Sequence, residues 1–261
     1  MNTALAILTH ALRMLIHAPS TTIRVLMPAL VLVIGCSLAI ALLAPDMIIP
    51  KQTINAPAEP PTLQAALFFL MFGAVGLIGY ALMAILWHRH VLLNGSDRIE
   101  DLRPDRAIFL GYIWRAILVG LAQMVAAIPI AILIGILGGS MMYANPTGPM
   151  ATLLGLVASV IFVWVAMRLS VVLPAAALGE PMRLGESWTT TKPISAALWG
   201  VALLLSGLNI CVYMISDTLL PVTGGLAILA HTIIYVVEGL VFISVLTTLY
   251  GHLVEGRSLG Q

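Results

Sequence analysis

The chain has 261 residues, of which 61% are hydrophobic and 9% are charged, and its mean hydropathy is +1.07. A soluble globular domain is about 45–50% apolar and about 25% charged, so this chain lacks the polar residues to cover a water-facing surface. Disorder is excluded because it requires low hydrophobicity and high net charge. A net charge of +1 without a stripe of Lys and Arg excludes a nucleic-acid binder. The composition therefore predicts an integral membrane protein.

Apolar runs long enough to cross a bilayer occur six times along the chain. A hydrocarbon core of about 30 Å requires roughly 20 helical residues. The runs are continuously apolar rather than alternating, which favours helices over a β-barrel. We therefore predict an all-α fold, a polytopic bundle of six transmembrane helices in a single domain over residues 1–261. The predicted spans are residues 25–44, 63–87, 116–139, 150–173, 194–216 and 226–250.

Short amphipathic segments accompany the spans. Residues 1–18 place leucines on one helical face and His10, Arg13 and His17 on the other, which is typical of a helix lying in the membrane interface. Pro19 is expected to end this helix, and Pro104 and Pro181 begin two further candidates. Three such segments, each followed by a hairpin, would make a threefold repeat. The alternative is that there is no repeat, and that the segments look alike only because any helix leaving the membrane on the cytoplasmic side ends in apolar residues and an arginine.

Positive charge predicts the orientation of the bundle. Eleven of the twelve Lys and Arg residues fall on the side that also holds both termini, and only Lys51 falls on the other. The positive-inside rule then places the N- and C-termini in the cytoplasm. A missed or extra span would scramble this sorting, so the charge pattern supports the count of six.

Four segments resemble a known protein family. They are Trp-His-Arg-His-Val-Leu-Leu at residues 87–93, Tyr-Ile-Trp-Arg at 112–115, and the longer stretches 168–179 and 186–192. Together they resemble a family of uncharacterised six-span alphaproteobacterial inner-membrane proteins, which is similar to the membrane domain of some glycerophosphoryl diester phosphodiesterases. The chain departs from these relatives at Asn94, where an acidic residue is usual, and at Pro193, where a glycine is usual. The resemblance implies the fold and an inner-membrane location, and it implies no established activity.

Glu238 is the sharpest candidate for chemistry. It lies near the middle of the sixth span, where a charged residue costs roughly 2.5–3.5 kcal/mol on insertion scales and therefore normally has a partner. His231 lies two helical turns away on the same face, and Asn209 and Ser206 on the fifth span lie at a similar depth. One interpretation is a proton or cation relay. The other is a protonated Glu238, or one bonded to Asn209 or Arg168, that holds helices together.

A second group of candidates lies at the cytoplasmic interface. Cations at the C-terminal ends of helices complement the helix dipole and can bind lipid phosphate or a carboxylate. We expect lipid- or partner-anchoring from residues of this kind, namely Trp87, His88, Arg89, Arg115, Arg168 and Trp188. The spacing of the interfacial histidines matches no zinc signature, so no metal or other cofactor is expected.

The sequence favours a non-enzymatic membrane protein whose cytoplasmic face engages lipid headgroups, another membrane protein or a second copy of the chain. No phosphate-binding loop, Ser/His/Asp grouping or dinucleotide motif appears in the sequence. The alternative function is a small transporter or channel that uses Glu238 and His231, and it predicts a polar cavity that reaches Glu238.

Overall fold

The computed structural model describes residues 2–43, 63–93, 102–145, 148–220 and 225–259. Across these ranges the regular elements are helical, which confirms the all-α prediction. They are α1 (Asn2–His17), α2 (Pro19–Leu43), α3 (Leu63–Leu92), α4 (Arg106–Ala144), α5 (Pro149–Ser170), α6 (Val172–Leu178), α7 (Leu184–Thr190), a 3₁₀ turn (Lys192–Ile194), α8 (Ser195–Leu219) and α9 (Gly225–Leu253). Lys51 and Arg98, which entered the charge count, and Asn94 lie outside the described residues.

Within the described ranges, six segments are long and apolar enough to cross a membrane, as predicted. They are Pro19–Leu42, Ala66–Leu92, Arg106–Gly139, Pro149–Leu178, Lys192–Ser216 and Gly225–Leu253. The largest difference from the prediction is the third span, which begins ten residues early because the amphipathic segment after Pro104 continues into the span as the single helix α4. Pro19 ends α1 and starts α2, since proline is compatible with the first turn of a helix.

The helix α1 packs into the bundle through a face that overlaps the predicted leucine face, since Leu8 and Leu15 contact the buried clusters, but that is centred on other residues. Ala4, Ile7 and Ala11 are fully buried, whereas Leu5 on the predicted leucine face is 44% exposed. α1 contacts both α8 and α9, and a side chain added at Gly200 of α8 would meet the Cβ of Ala4 at 2.8 Å. Small side chains at spacings of three and four residues thus let α1 approach its neighbours closely.

One end of the bundle holds the described positive charge and much of the buried core. The C-termini of α3, α5 and α9 meet the N-termini of α2, α4 and α8 there, and we call it the arginine-rich end. Ten Lys and Arg residues fall in the described ranges and belong to segments at this end: Arg13, Arg24, Arg89, Arg103, Arg106, Arg115, Arg168, Arg183, Lys192 and Arg257. Two hydrophobic clusters of buried residues include side chains from this end, one containing Leu249 and Tyr250, the other Trp87 and Ala177.

Gly239 of α9 lies directly against the side chain of Tyr80 on α3. A Cβ added there would overlap the phenol ring of Tyr80 on α3. At Gly73, in contrast, an added Cβ would have no atom of the described structure within 4 Å. The two glycines occupy helix interiors of the same kind and differ mainly in this contact.

We predict that Gly239→Ala lowers the free energy of unfolding by about 1–2 kcal/mol, because inserting a methyl group into a filled contact costs about 1–3 kcal/mol and the gain in helix propensity offsets part of that. Gly73→Ala should be neutral or slightly stabilising. Unfolding in mixed detergent micelles measures both changes. Equal effects of the two substitutions would contradict the packing described here.

Candidate functional site

Arg168, at the end of α5, attaches the short helix α7 to the bundle. Its Nη2 donates a hydrogen bond to the backbone oxygen of Trp188 at 2.5 Å, and its Nε donates to the hydroxyl of Thr191 at 3.2 Å. The guanidinium lies 3.8 Å from the ring centroid of Trp188 and 5.2 Å from that of Trp164. The hydroxyl of Ser187 donates back to the backbone oxygen of Arg168 at 2.7 Å. Arg168 is only 6% exposed, so its charge is engaged inside the protein.

Arg89, at the end of α3, makes a similar contact with the end of α6. Its Nη1 donates to the backbone oxygen of Ala177 at 2.9 Å, and the residue is 6% exposed. α6 stops at Gly179, whose φ of 80° lies in the left-handed region that glycine adopts without strain. The N–H groups of Gly179 and Glu180 then donate to the oxygens of Ala176 and Ala175, which leaves the oxygen of Ala177 for Arg89.

The six predicted lipid-anchoring residues therefore differ in how far they are exposed: four are buried, one is half-buried and one is exposed. Trp87 and His88 are buried with Arg89 and Arg168, and Arg115 is half-buried with its Nη1 donating to the oxygen of Gly111 in its own helix. Trp188 alone among the six has a substantially exposed ring, at 37%. The sequence identified these residues as important, but their spacing did not show that most of them face other helices.

His88 links α3 to α9. Its Nδ1 lies 2.8 Å from the hydroxyl of Thr247, and that hydroxyl donates to the backbone oxygen of Ile243. Within the described ranges, Nε2 of His88 and the hydroxyl of Ser244, one turn earlier on α9, are buried without a hydrogen-bond partner.

Arg257 closes the arginine-rich end behind α9. Its Nη2 and Nη1 donate to the backbone oxygens of Leu92 and Val91 at 2.6 and 3.3 Å, and its Nε forms an ion pair with Glu255. Burial raises the pKa of the Glu255 carboxyl, and the charge of Arg257 partly opposes that shift. From the sequence, Arg257 contributes only to the predicted orientation, because its contacts Val91 and Leu92 lie far away in the chain.

Glu238 and Asn209 meet near the middle of α8 and α9. The Nδ2 of Asn209 lies 3.2 Å from both carboxylate oxygens of Glu238. Of the two partners weighed for Glu238 in the sequence, Asn209 is therefore the one found, while Arg168 binds α7 instead. This contact bridges two of the long apolar helices on the exposed side of the bundle.

A cavity of about 380 Å³ reaches this contact. Half of its twelve lining residues carry a polar side-chain atom: Tyr80, Ser159, Ser206, Asn209, Tyr235 and Glu238. Ser159 donates to Ser206 across α5 and α8 at 2.9 Å. Asn209 and Tyr235 are exposed, so the cavity opens on the outer surface of the bundle. The cavity lies beside Glu238 but opens on the outer face of the bundle, so the polar pathway that the transporter hypothesis requires stays a prediction.

His231 is not brought into contact with Glu238. Its Nδ1 lies 2.7 Å from the backbone oxygen of Ala227, one turn away in its own helix. The next residue, Thr232, donates its hydroxyl to Ser37 of α2 at 2.9 Å. Seen along α9, polar groups therefore occur at His231 and Thr232, at Glu238, and again at Ser244 and Thr247.

Comparisons with known proteins assign neither a family nor a function to this chain. No family model, curated protein or solved structure matches the chain. Among the described residues, no group of three or more His, Cys, Asp or Glu side chains lies close enough to hold a metal ion. The family resemblance and the threefold repeat stay predictions.

We predict that Arg168→Gln lowers the free energy of unfolding by about 2–4 kcal/mol, because it removes charge-assisted hydrogen bonds and a cation–π contact that hold α7. Lys192→Gln is the control, since Lys192 is an exposed cation in the neighbouring 3₁₀ turn. Unfolding in mixed micelles compares the two variants. An effect of Arg168→Gln no larger than that of Lys192→Gln would show that the contacts of Arg168 contribute little.

Proposed function

We propose that this chain is an integral membrane protein that binds a proton or a small monovalent cation at Glu238 and passes it across the bilayer. The observation that carries the proposal is the carboxylate of Glu238, held by Asn209 in a cavity near the middle of the spanning helices. Ionisable residues at that depth are expensive, and they commonly mark ion or proton pathways.

The contact with Asn209 leaves Glu238 able to bind a ligand. An ionised carboxylate can accept about four hydrogen bonds, and the single amide nitrogen of Asn209 is shared between its two oxygens. The remaining lone pairs can accept a proton or coordinate a cation. Asn209 then serves as a positioning residue that fixes the carboxylate at the cavity wall.

Other polar groups of α9 lie on either side of Glu238 along the helix but on different faces, Thr232 toward α2 and Ser244 in the buried interior, so a path through them crosses between helix faces. At about 1.5 Å per residue, Thr232 and Ser244 each lie about 9 Å from Glu238 along the helix axis, in opposite directions. Thr232 pairs with Ser37, and Ser244 lies one turn before the Thr247–His88 contact. Gaps of this size require water or side-chain motion between steps, and the open cavity supplies room for both at Glu238.

A second candidate function is engagement of lipid headgroups or of another membrane protein by the arginine-rich end, without enzymatic activity. The observation in its favour is the concentration of described Lys and Arg residues at that end, together with the exposed rings of Trp114, Trp188 and Trp199. Aromatic rings and cations are the usual anchors of a protein at the headgroup level. We further propose a bacterial inner membrane as the location, with the arginine-rich end in the cytoplasm.

Proton movement into reconstituted vesicles tests the first proposal. Purified protein is placed in vesicles that contain a pH-sensitive dye, and a potassium gradient with valinomycin drives protons inward. We predict dye acidification above that of protein-free vesicles, and at least about a tenfold loss of this rate in Glu238→Gln, which keeps the shape of the side chain but cannot ionise.

The matched control is Glu255→Gln, which removes a carboxylate at the arginine-rich end and should keep the wild-type rate. Measuring sodium uptake down a sodium gradient in the same kind of vesicles then shows whether the protein moves a proton or a metal cation. The proposal is wrong if wild-type protein gives no flux of either ion, or if Glu238→Gln carries the same flux as the wild type.

A further inference from the structure

A groove lies at the arginine-rich end, between α2, α3 and the start of α4. It has a volume of about 590 Å³, within the range of ordinary ligand sites. Pro28, Leu82 and Leu86 form its apolar wall, and Phe109 and Leu110 of α4 face them. None of these residues belongs to the cavity at Glu238.

Two arginines stand at the mouth of this groove. Arg103 and Arg106 flank Pro104 and Asp105 just before and at the start of α4, and both arginines are exposed. The one acidic lining residue, Asp105, uses its Oδ1 to accept the N–H of Ile108 at 2.7 Å, so its charge caps the first turn of α4. The mouth therefore keeps two guanidinium groups beside a carboxylate that is already engaged with the helix.

We propose that this groove binds one anionic phospholipid, with its acyl chain against the apolar wall and its phosphate between Arg103 and Arg106. An apolar cleft that runs into a spanning bundle matches hydrocarbon, and a pair of arginines at its mouth matches a phosphate. A free phosphate would use only the arginines and leave the apolar wall uncovered. A zwitterionic lipid would cover the wall but gain less from the two cations.

The arginines of this site differ from those that the sequence singled out. The Nη1 of Arg89 and two guanidinium nitrogens of Arg168 donate to protein oxygens, and both residues are buried, whereas Arg103 and Arg106 are exposed beside a groove. The site names the ligand class for the second candidate function and is independent of Glu238.

Binding of defined lipids to the purified full chain tests this inference. Dioleoyl phosphatidylglycerol and dioleoyl phosphatidylcholine are added to detergent-solubilised protein, and bound lipid is counted by native mass spectrometry. We predict one phosphatidylglycerol bound at least about tenfold more tightly than phosphatidylcholine. The double variant Arg103→Gln/Arg106→Gln should lose this preference, because the two arginines supply the positive charge that favours the anionic headgroup.

Two further variants separate the site from general charge and from folding. Arg183→Gln/Lys192→Gln removes two cations from the same end and should keep the preference. Leu110→Glu leaves both arginines in place but adds a competing carboxylate one turn from Arg106, and it should weaken phosphatidylglycerol binding. Thermal unfolding of each variant checks that it is folded.

Four outcomes would overturn the inference. These are equal binding of the two lipids, an unchanged preference in the folded Arg103→Gln/Arg106→Gln variant, an equal loss in the Arg183→Gln/Lys192→Gln control, and displacement of the lipid by millimolar inorganic phosphate. Glu238→Gln should bind phosphatidylglycerol like the wild type. Wild-type protein that carries no ion flux but prefers phosphatidylglycerol contradicts only the first proposal, and protein that carries flux without that preference contradicts only the lipid site.

Discussion

Hydrocarbon cannot hydrogen-bond to a polar group, and this constraint determines where most polar side chains of the bundle lie. Where Arg89, Arg168 and His88 approach the spanning segments, each finds an oxygen inside the protein rather than in the solvent. The partners are backbone oxygens at helix ends or hydroxyls of neighbouring helices. The same constraint makes these contacts useful, because each one joins segments that apolar packing alone would leave free to slide.

At the arginine-rich end the constraint is met by short helices that turn back toward the bundle. α6 and α7 present backbone oxygens to Arg89 and Arg168, and Arg257 returns from the end of α9 to the last turn of α3. Near the middle of the bundle, polar side chains find fewer hydrogen-bond partners inside the protein. Among the described residues Glu238 hydrogen-bonds to Asn209, and both residues line a cavity open to the outer surface. An incompletely satisfied carboxylate at that depth is costly, and binding of a proton or a cation would remove the cost.

The sequence was sufficient for the spans and for the depth of Asn209 and Glu238, because both follow from hydropathy and from the fixed rise of a helix. It could not identify the centre of the buried face of α1, since the leucine stripe was the stronger signal and the packed face is centred on Ala4, Ile7 and Ala11. The sequence could not show either that Arg168 is buried whereas Arg103 is exposed. Both are arginines near the end of an apolar run, and only the return of α7 onto α5 decides that the first is buried.

Reactivity of Glu238 with a hydrophobic carbodiimide tests the central claim most directly. Such a reagent partitions into the bilayer and modifies protonated carboxyl groups, and peptide mass spectrometry then locates the adduct. We predict an adduct at Glu238 in membrane-embedded protein that forms more slowly as the pH rises, since the carboxyl group at the cavity wall must be protonated to react. Adducts at other carboxyl groups such as Glu180 and Glu255, with none at Glu238 at any pH, would contradict a cavity that gives access to this residue.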